Sequence, residues 1–189
     1  MAFLPVTVGI AISAGVSNTR LMPRFGPRPL VPTGMFLAAA GMLWLAQLST
    51  HSSYAANILG PMFGIGLGVG LAFAPSINTA TAGIDAADAG VGSAMVNTSQ
   101  QIGGAIGTAV LSTVFSTALS NYLSSHRSTT GRAAVAAAAV VHGDAVAFGV
   151  SAGIFLAGVV LAGLLLRSGP LDDAEGAMGG SATVGSGVL

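Results

Sequence analysis

Five apolar stretches, separated by short polar or small-residue segments, run through this chain of 189 residues. They cover residues 2–19, 30–48, 56–77, 91–119 and 146–166, and none holds an Asp, Glu, Lys, Arg or His. A bilayer core takes roughly 20 apolar helical residues, so each stretch predicts a membrane-spanning helix. The fourth is too long for a perpendicular crossing and has to tilt or extend beyond the lipid. The first has no positively charged lead-in and no clear small-residue cleavage site. It reads as a span that lacks its outer end, not as a signal peptide. The pattern predicts an all-α fold, a polytopic transmembrane bundle of about five helices within residues 1–167.

The polar segments orient the bundle. The segment after the first stretch carries Arg20, Arg24 and Arg28, three of the six cations in the chain, with no acid among them. Arginine-rich connections stay cytoplasmic. Residues 49–55 hold no Arg and belong outside; residues 81–90 hold only Asp85 and Asp88, which carry little topological weight. Residues 120–145 lie outside by parity, with Arg127 and Arg132 in mild conflict with the rule. Arg167 opens the tail and suits a cytoplasmic end. Tyr54 and Tyr122 fall at the outer interface, where amphipathic rings settle. Within the fourth connection, residues 133–141 form an apolar run too short to span, which reads as a short interfacial helix. Residues 168–189, rich in Gly, Ser and Ala with Asp172, Asp173 and Glu175, read as a disordered cytoplasmic tail.

Composition agrees with a membrane setting. Charged residues are 6% of the chain, against about 25% in soluble domains, and mean hydropathy is +0.81. Net charge is zero, which removes the electrostatic case for nucleic acid. Cysteine is absent, so disulfides and thiolate metal sites are excluded. No Ser/His/Asp set, paired carboxylate or metal-ligand cluster is visible in the sequence, which disfavours an enzyme and implies no metal or cofactor. His51, His126 and His142 fall in the outer connections, share no ligand spacing and read as solvated. His142 and Asp144 stand two residues apart and are placed to hydrogen-bond.

The third stretch is glycine-rich but is not a phosphate loop: Val69 stands where a third glycine would follow Gly64 and Gly66, and no Gly-Lys-Ser/Thr comes after. The physical reading is packing. Gly60, Gly64 and Gly68 share one helix face and Gly66 and Gly70 another, so two neighbours can approach closely. Pro61 and Pro75 each remove a backbone donor and bend the helix. In the fourth stretch Asn97, Gln101, Gly104 and Thr108 fall on one helical stripe, flanked by Gln100, opposite Ile102, Ile106 and Val110. Amides in hydrocarbon need partners. The stripe is either part of a substrate-cavity wall (Asn97, Gln100, Gln101, Thr108) or an interhelical hydrogen-bonding seam. Gly103 and Gly107 form a close-packing pair, repeated by Gly149 and Gly153 in the fifth stretch.

The segment Gly15, Arg20, Arg24, Gly26, Arg28 resembles the cytoplasmic loop motif of the major facilitator superfamily, in the version found in the C-terminal half of its fourteen-helix drug:proton antiporter branch. The acid of the fuller motif is missing. The glycine-rich stretch ending at Pro75 and the segment from Gly92 through Asn97 and Gly103 to Gly107 are similar to the same branch, so the resemblance covers residues 3 to 167. It implies that the five spans are the tenth to fourteenth of a major facilitator fold. It further implies multidrug or small-molecule efflux by proton antiport in the full-length protein, in the plasma (inner) membrane, with the C-terminus cytoplasmic. The coupling acids of that family belong to its N-terminal half, so this chain alone is not a competent antiporter. The implied partners are the lipid bilayer, a small amphipathic substrate, and either the missing N-terminal transporter helices or further copies of the chain. The alternatives are a small accessory or structural membrane protein and a non-functional gene remnant.

Overall fold

The computed structural model describes residues 4–47, 58–85, 87–126 and 132–165, and every regular element among them is helical. Helix α1 is Leu4–Val16, which widens into a π turn at Ser17–Leu21 and continues as the short α2, Met22–Phe25. Helix α3 is Pro27–Leu45, α4 is Leu59–Thr81, α5 is Ala89–Ser125 and α6 is Arg132–Leu165. Each of the five apolar stretches coincides with one of the long helices.

The first connection departs from the loop expected there. Only Gly26 is non-helical between α1 and α3, at φ 70° and ψ 177°. That conformation is essentially restricted to glycine, and Pro27 then opens α3, its fixed φ suited to a first helical turn. One glycine therefore makes the turn. Arg20 and Arg24 ride on the helical extension of α1, and Arg28 sits in the first turn of α3.

Two further expectations are corrected. Residues 133–141 do not form a separate interfacial helix: α6 runs unbroken through them for 34 residues. No proline interrupts the join, and a single helical glycine, Gly143, costs only about 1 kcal/mol. Phe115 of α5 also packs where a Gly143 side chain would stand. Pro61 lies in the first turn of α4, where its missing N–H would have no helical partner anyway. Pro75 is the interior proline of that helix, and it is buried.

Helix α4 lies between α1 and α3. Gly66 abuts Val6 and Gly70 abuts Ile10 and Ser13 of α1, whereas Gly68 abuts Gly34 and Ala38 of α3. Successive contacts (Val6 with Gly66, Ile10 with Gly70) show that α1 and α4 run parallel. The contacts of Gly41 with Pro61 and of Gly34 with Gly68 make α3 antiparallel to α4. Helix α6 packs on α3, with Met35 against Gly158, and pairs with α5 through Phe115 and Gly143. Arg20, Arg24, Arg28, Asp85 and Asp88 thus share one end of the bundle, and His126 and Arg132 lie at the other.

The interior is made of small residues. Ala38, Ala39, Ala72, Ala139 and Ala152 are buried, while Phe36, Trp44, Ile102, Ile106 and Leu164 face outward. Water would drive the large apolar groups inside; lipid does not, and helices then associate by close van der Waals contact between small residues. Three helices, α4, α5 and α6, are long and apolar enough to cross a membrane. Helices α5 and α6, at 37 and 34 residues, measure about 55 and 51 Å, so both outreach a hydrocarbon core of about 30 Å. Residues 48–57, 127–131 and 166–189, with His51, Tyr54, Arg127, Arg167 and the tail, lie outside the described residues.

Candidate functional site

At the arginine-bearing end, the π turn brings polar groups together. Asn78 of α4 donates its side-chain amide to Asn18 Oδ1 at 2.8 Å, and Met22 Sδ lies 3.8 Å from the same nitrogen. Ser17 beside them is fully buried, and its Oγ has no hydrogen-bond partner among the described residues. One turn earlier, Ser13 Oγ reaches the Gly66 carbonyl at 3.5 Å. These contacts tie the motif helix to α4. Sequence reading passed over Asn18 and Asn78. The signal was present, because two amides at the ends of adjacent apolar helices need partners.

Between the same end of α4 and α5 lies a hollow of about 510 Å³. Its wall is mainly apolar, with Phe73, Ile77 and Met95, and carries the polar side chains of Ser76, Ser99 and Gln100. Ile84, on the connection, covers Gly92. Of the four cavity candidates, Gln100 lines this hollow. Thr108 lines a second one of about 390 Å³ between α5 and α6, with Ser112, Phe115, Asp144, Phe148 and Ser151. Thr108 Oγ1 donates to the Gly104 carbonyl at 2.8 Å. Asn97 and Gln101 line neither hollow and are exposed. The amide stripe therefore does not converge on one cavity within this chain: it faces outward along α5, whose apolar membrane-length window is entirely unburied.

The packing glycines divide in the same way. Gly68 makes a close backbone approach, but a Cβ built at Gly60, Gly64, Gly103 or Gly107 meets nothing within 4 Å. Gly34 and Gly41 of α3, which the sequence reading did not single out, supply the partner surface for α4. Of the motif residues, Gly15 and Arg20, Arg24 and Arg28 are exposed, and Gly26 makes the turn.

At the opposite end, the histidines are not simply solvated. The His126 ring stacks on Tyr122 with centroids 4.2 Å apart, and His142, inside α6, lies against the same ring at 5.2 Å. Spacing hid this cluster because Tyr122 and His142 come from different helices. No group of three or more metal-ligating side chains forms among the described residues.

No family model matches the chain. Among characterised proteins, it is 39% identical over 170 residues to a puromycin resistance protein of Streptomyces alboniger, covering 89% of this chain and 33% of the relative. It is 39% identical over 85 residues to a cephamycin export protein of Amycolatopsis lactamdurans, covering 45% of this chain and 18% of that protein. It is also 32% identical over 108 residues to a major facilitator-type transporter of Mycobacterium tuberculosis, covering 56% of this chain and 20% of the relative. The chain thus spans a third or less of the length of these relatives. An apolar all-helical bundle whose similarity extends over nine-tenths of its length is, on these grounds, a partial-length homologue of the major facilitator antibiotic exporters.

Proposed function

We propose that the chain works as part of an efflux transporter that carries small amphipathic molecules across the plasma membrane, completed by further transmembrane helices. The observation that carries this reading is the 170-residue similarity to a puromycin resistance protein. The uncovered face of α5 supports it. Asn97, Gln101 and Thr108 are exposed on a helix without a charged residue, and amides in hydrocarbon require a polar or protein partner. In this reading the face of α5 meets the additional helices across a substrate path, and Asn97, Gln100, Gln101 and Thr108 contribute to its wall. The same closure gives Gly103 and Gly107 a neighbour. Helices α1 and α3 to α6 make five crossings, with the Arg20–Arg28 end and the C-terminus cytoplasmic.

The test supplies the missing helices. The chain is expressed in an exporter-deficient bacterium alone, and together with the two-thirds of the Streptomyces protein that it does not match. Efflux of a fluorescent amphipathic dye and copurification of the two polypeptides are then measured. Dye efflux and copurification only with both parts present are the expected results. Two inserted polypeptides that neither copurify nor lower dye accumulation would overturn the proposal. The chain has no cysteine, so single introduced cysteines at positions 24 and 126 report sidedness by membrane-impermeant labelling.

A further inference from the structure

Asp144 is the acid that lies within a long helix. It stands 12 positions after Arg132 in α6, and its side chain lines the 390 Å³ hollow against α5. The sequence reading placed it in a connection, outside every span. Val146 to Leu165 is the length of helix that fills a hydrocarbon core. This sets Asp144 at the edge of the apolar layer, with Phe148 about one turn deeper.

The hollow does not neutralise this carboxylate. Asp144 makes no hydrogen bond or ion pair among the described residues. Two of the three hydroxyls around it are committed to their own helices, Thr108 to the Gly104 carbonyl and Ser151 to the Ala147 carbonyl. Helix α5 contains no charged residue. The one charge on α3, Arg28, lies at the opposite end, because Met35 already meets α6 as far along as Gly158. Arg132 is about 18 Å away along the helix. His142 lies on the other side of the α5–α6 contact, against Tyr122 and in a separate hollow. What remains is one anionic group beside two phenyl rings, Phe115 and Phe148, in an otherwise apolar slot. A carboxylate with aromatic faces and little competing hydrogen bonding attracts a poorly hydrated organic cation. Small inorganic cations would need several oxygen ligands, and one carboxylate does not supply them.

We infer that the α5–α6 hollow is a binding site for an apolar organic monocation, with Asp144 as its ionic contact and Phe115 and Phe148 against its body. The site deepens the exporter reading and rests on it for biological use, but the binding is a property of this chain and is measured without transport.

The test uses the purified full chain in neutral maltoside micelles and two probes of equal shape and opposite charge, tetraphenylphosphonium and tetraphenylborate, in equilibrium dialysis. Saturable binding of the phosphonium and none of the borate is expected. Asp144→Asn should weaken phosphonium binding by about tenfold or more, the scale of one ionic contact at a partly desolvated site. Asp144→Glu should retain most of it, Phe148→Ala should weaken it several-fold while the preference for the cation persists, and Asp85→Asn should leave it unchanged. Circular dichroism and micelle elution volume confirm that each variant is folded. Unchanged binding in a folded Asp144→Asn variant, equal binding of the borate, or no saturable phosphonium binding by the unaltered chain would each overturn the inference. None of these results bears on whether the chain completes an exporter, which the efflux and copurification experiment reads separately.

Discussion

Replacing Gly68 by alanine tests the packing of the three-helix layer directly. A Cβ at this position would stand 2.5 Å from the Ala38 nitrogen and 2.5 Å from the Gly34 carbonyl oxygen, both backbone atoms of α3. Ordinary contact begins near 3.4 Å, so α3 and α4 have to part by roughly 0.9 Å along this line. Neither obstructing atom belongs to a flexible side chain, and overpacking of this kind costs about 1–3 kcal/mol. Gly64, one turn earlier on α4, is the matched control, because a Cβ there meets nothing within 4 Å. Both substitutions gain the same helix propensity, about 1 kcal/mol, so the difference between them isolates the helix–helix separation. Thermal unfolding in maltoside micelles, followed by the loss of monodisperse protein, measures it. With about 2–4 °C per kcal/mol for a chain of this size, Gly68→Ala should melt roughly 2 to 12 °C below Gly64→Ala. If the two variants melt together, or Gly68→Ala melts higher, the argument that glycine sets the α3–α4 distance is wrong.

Three other outcomes follow from the geometry. Gly26→Ala forces a side chain into a positive-φ conformation and should cost about 1–3 kcal/mol, whereas Gly15→Ala, on an exposed helical face, should melt like the unaltered chain. Asn18→Ala and Asn78→Ala each remove the 2.8 Å interhelical bond; a double-mutant cycle should give a coupling of about 0.5–1.5 kcal/mol, and strict additivity would deny that the bond contributes. Arg24→Ala, made in the chain completed by its missing helices, should lower dye efflux at unchanged membrane abundance, because Arg24 is exposed and supports no packing; equal efflux at equal abundance would remove the arginine motif from the mechanism.

Much of this protein was legible along one dimension. Hydrophobic run length located all five long helices, since a bilayer selects for the same residue types over a fixed number of positions. The arginine segment and the glycine-rich helix pointed to the family that the comparisons bear out. Other features depended on short-range conformational choices that composition does not reveal. A cluster of Arg, Pro and Gly reads as a loop, yet one glycine at φ 70° suffices for the turn, and the rest stays helical. Likewise, the polar residues around His142 and Asp144 read as a break before the fifth span, but nothing there forbids a helix, and α6 passes through.

By itself the sequence determined that the chain is helical, belongs in lipid and keeps its arginines clustered at one end, because these follow from hydropathy, length and charge at each position. Only the tertiary structure decided which glycines touch a neighbour. Gly60, Gly64 and Gly68 share a face by periodicity, but only Gly68 lies where α3 crosses, and a crossing point depends on the relative placement of two helices. The same holds for the stack of Tyr122 with His126 and His142, and for Asp144 with Phe115 and Phe148 around one hollow. Those groups come from helices that only packing brings side by side.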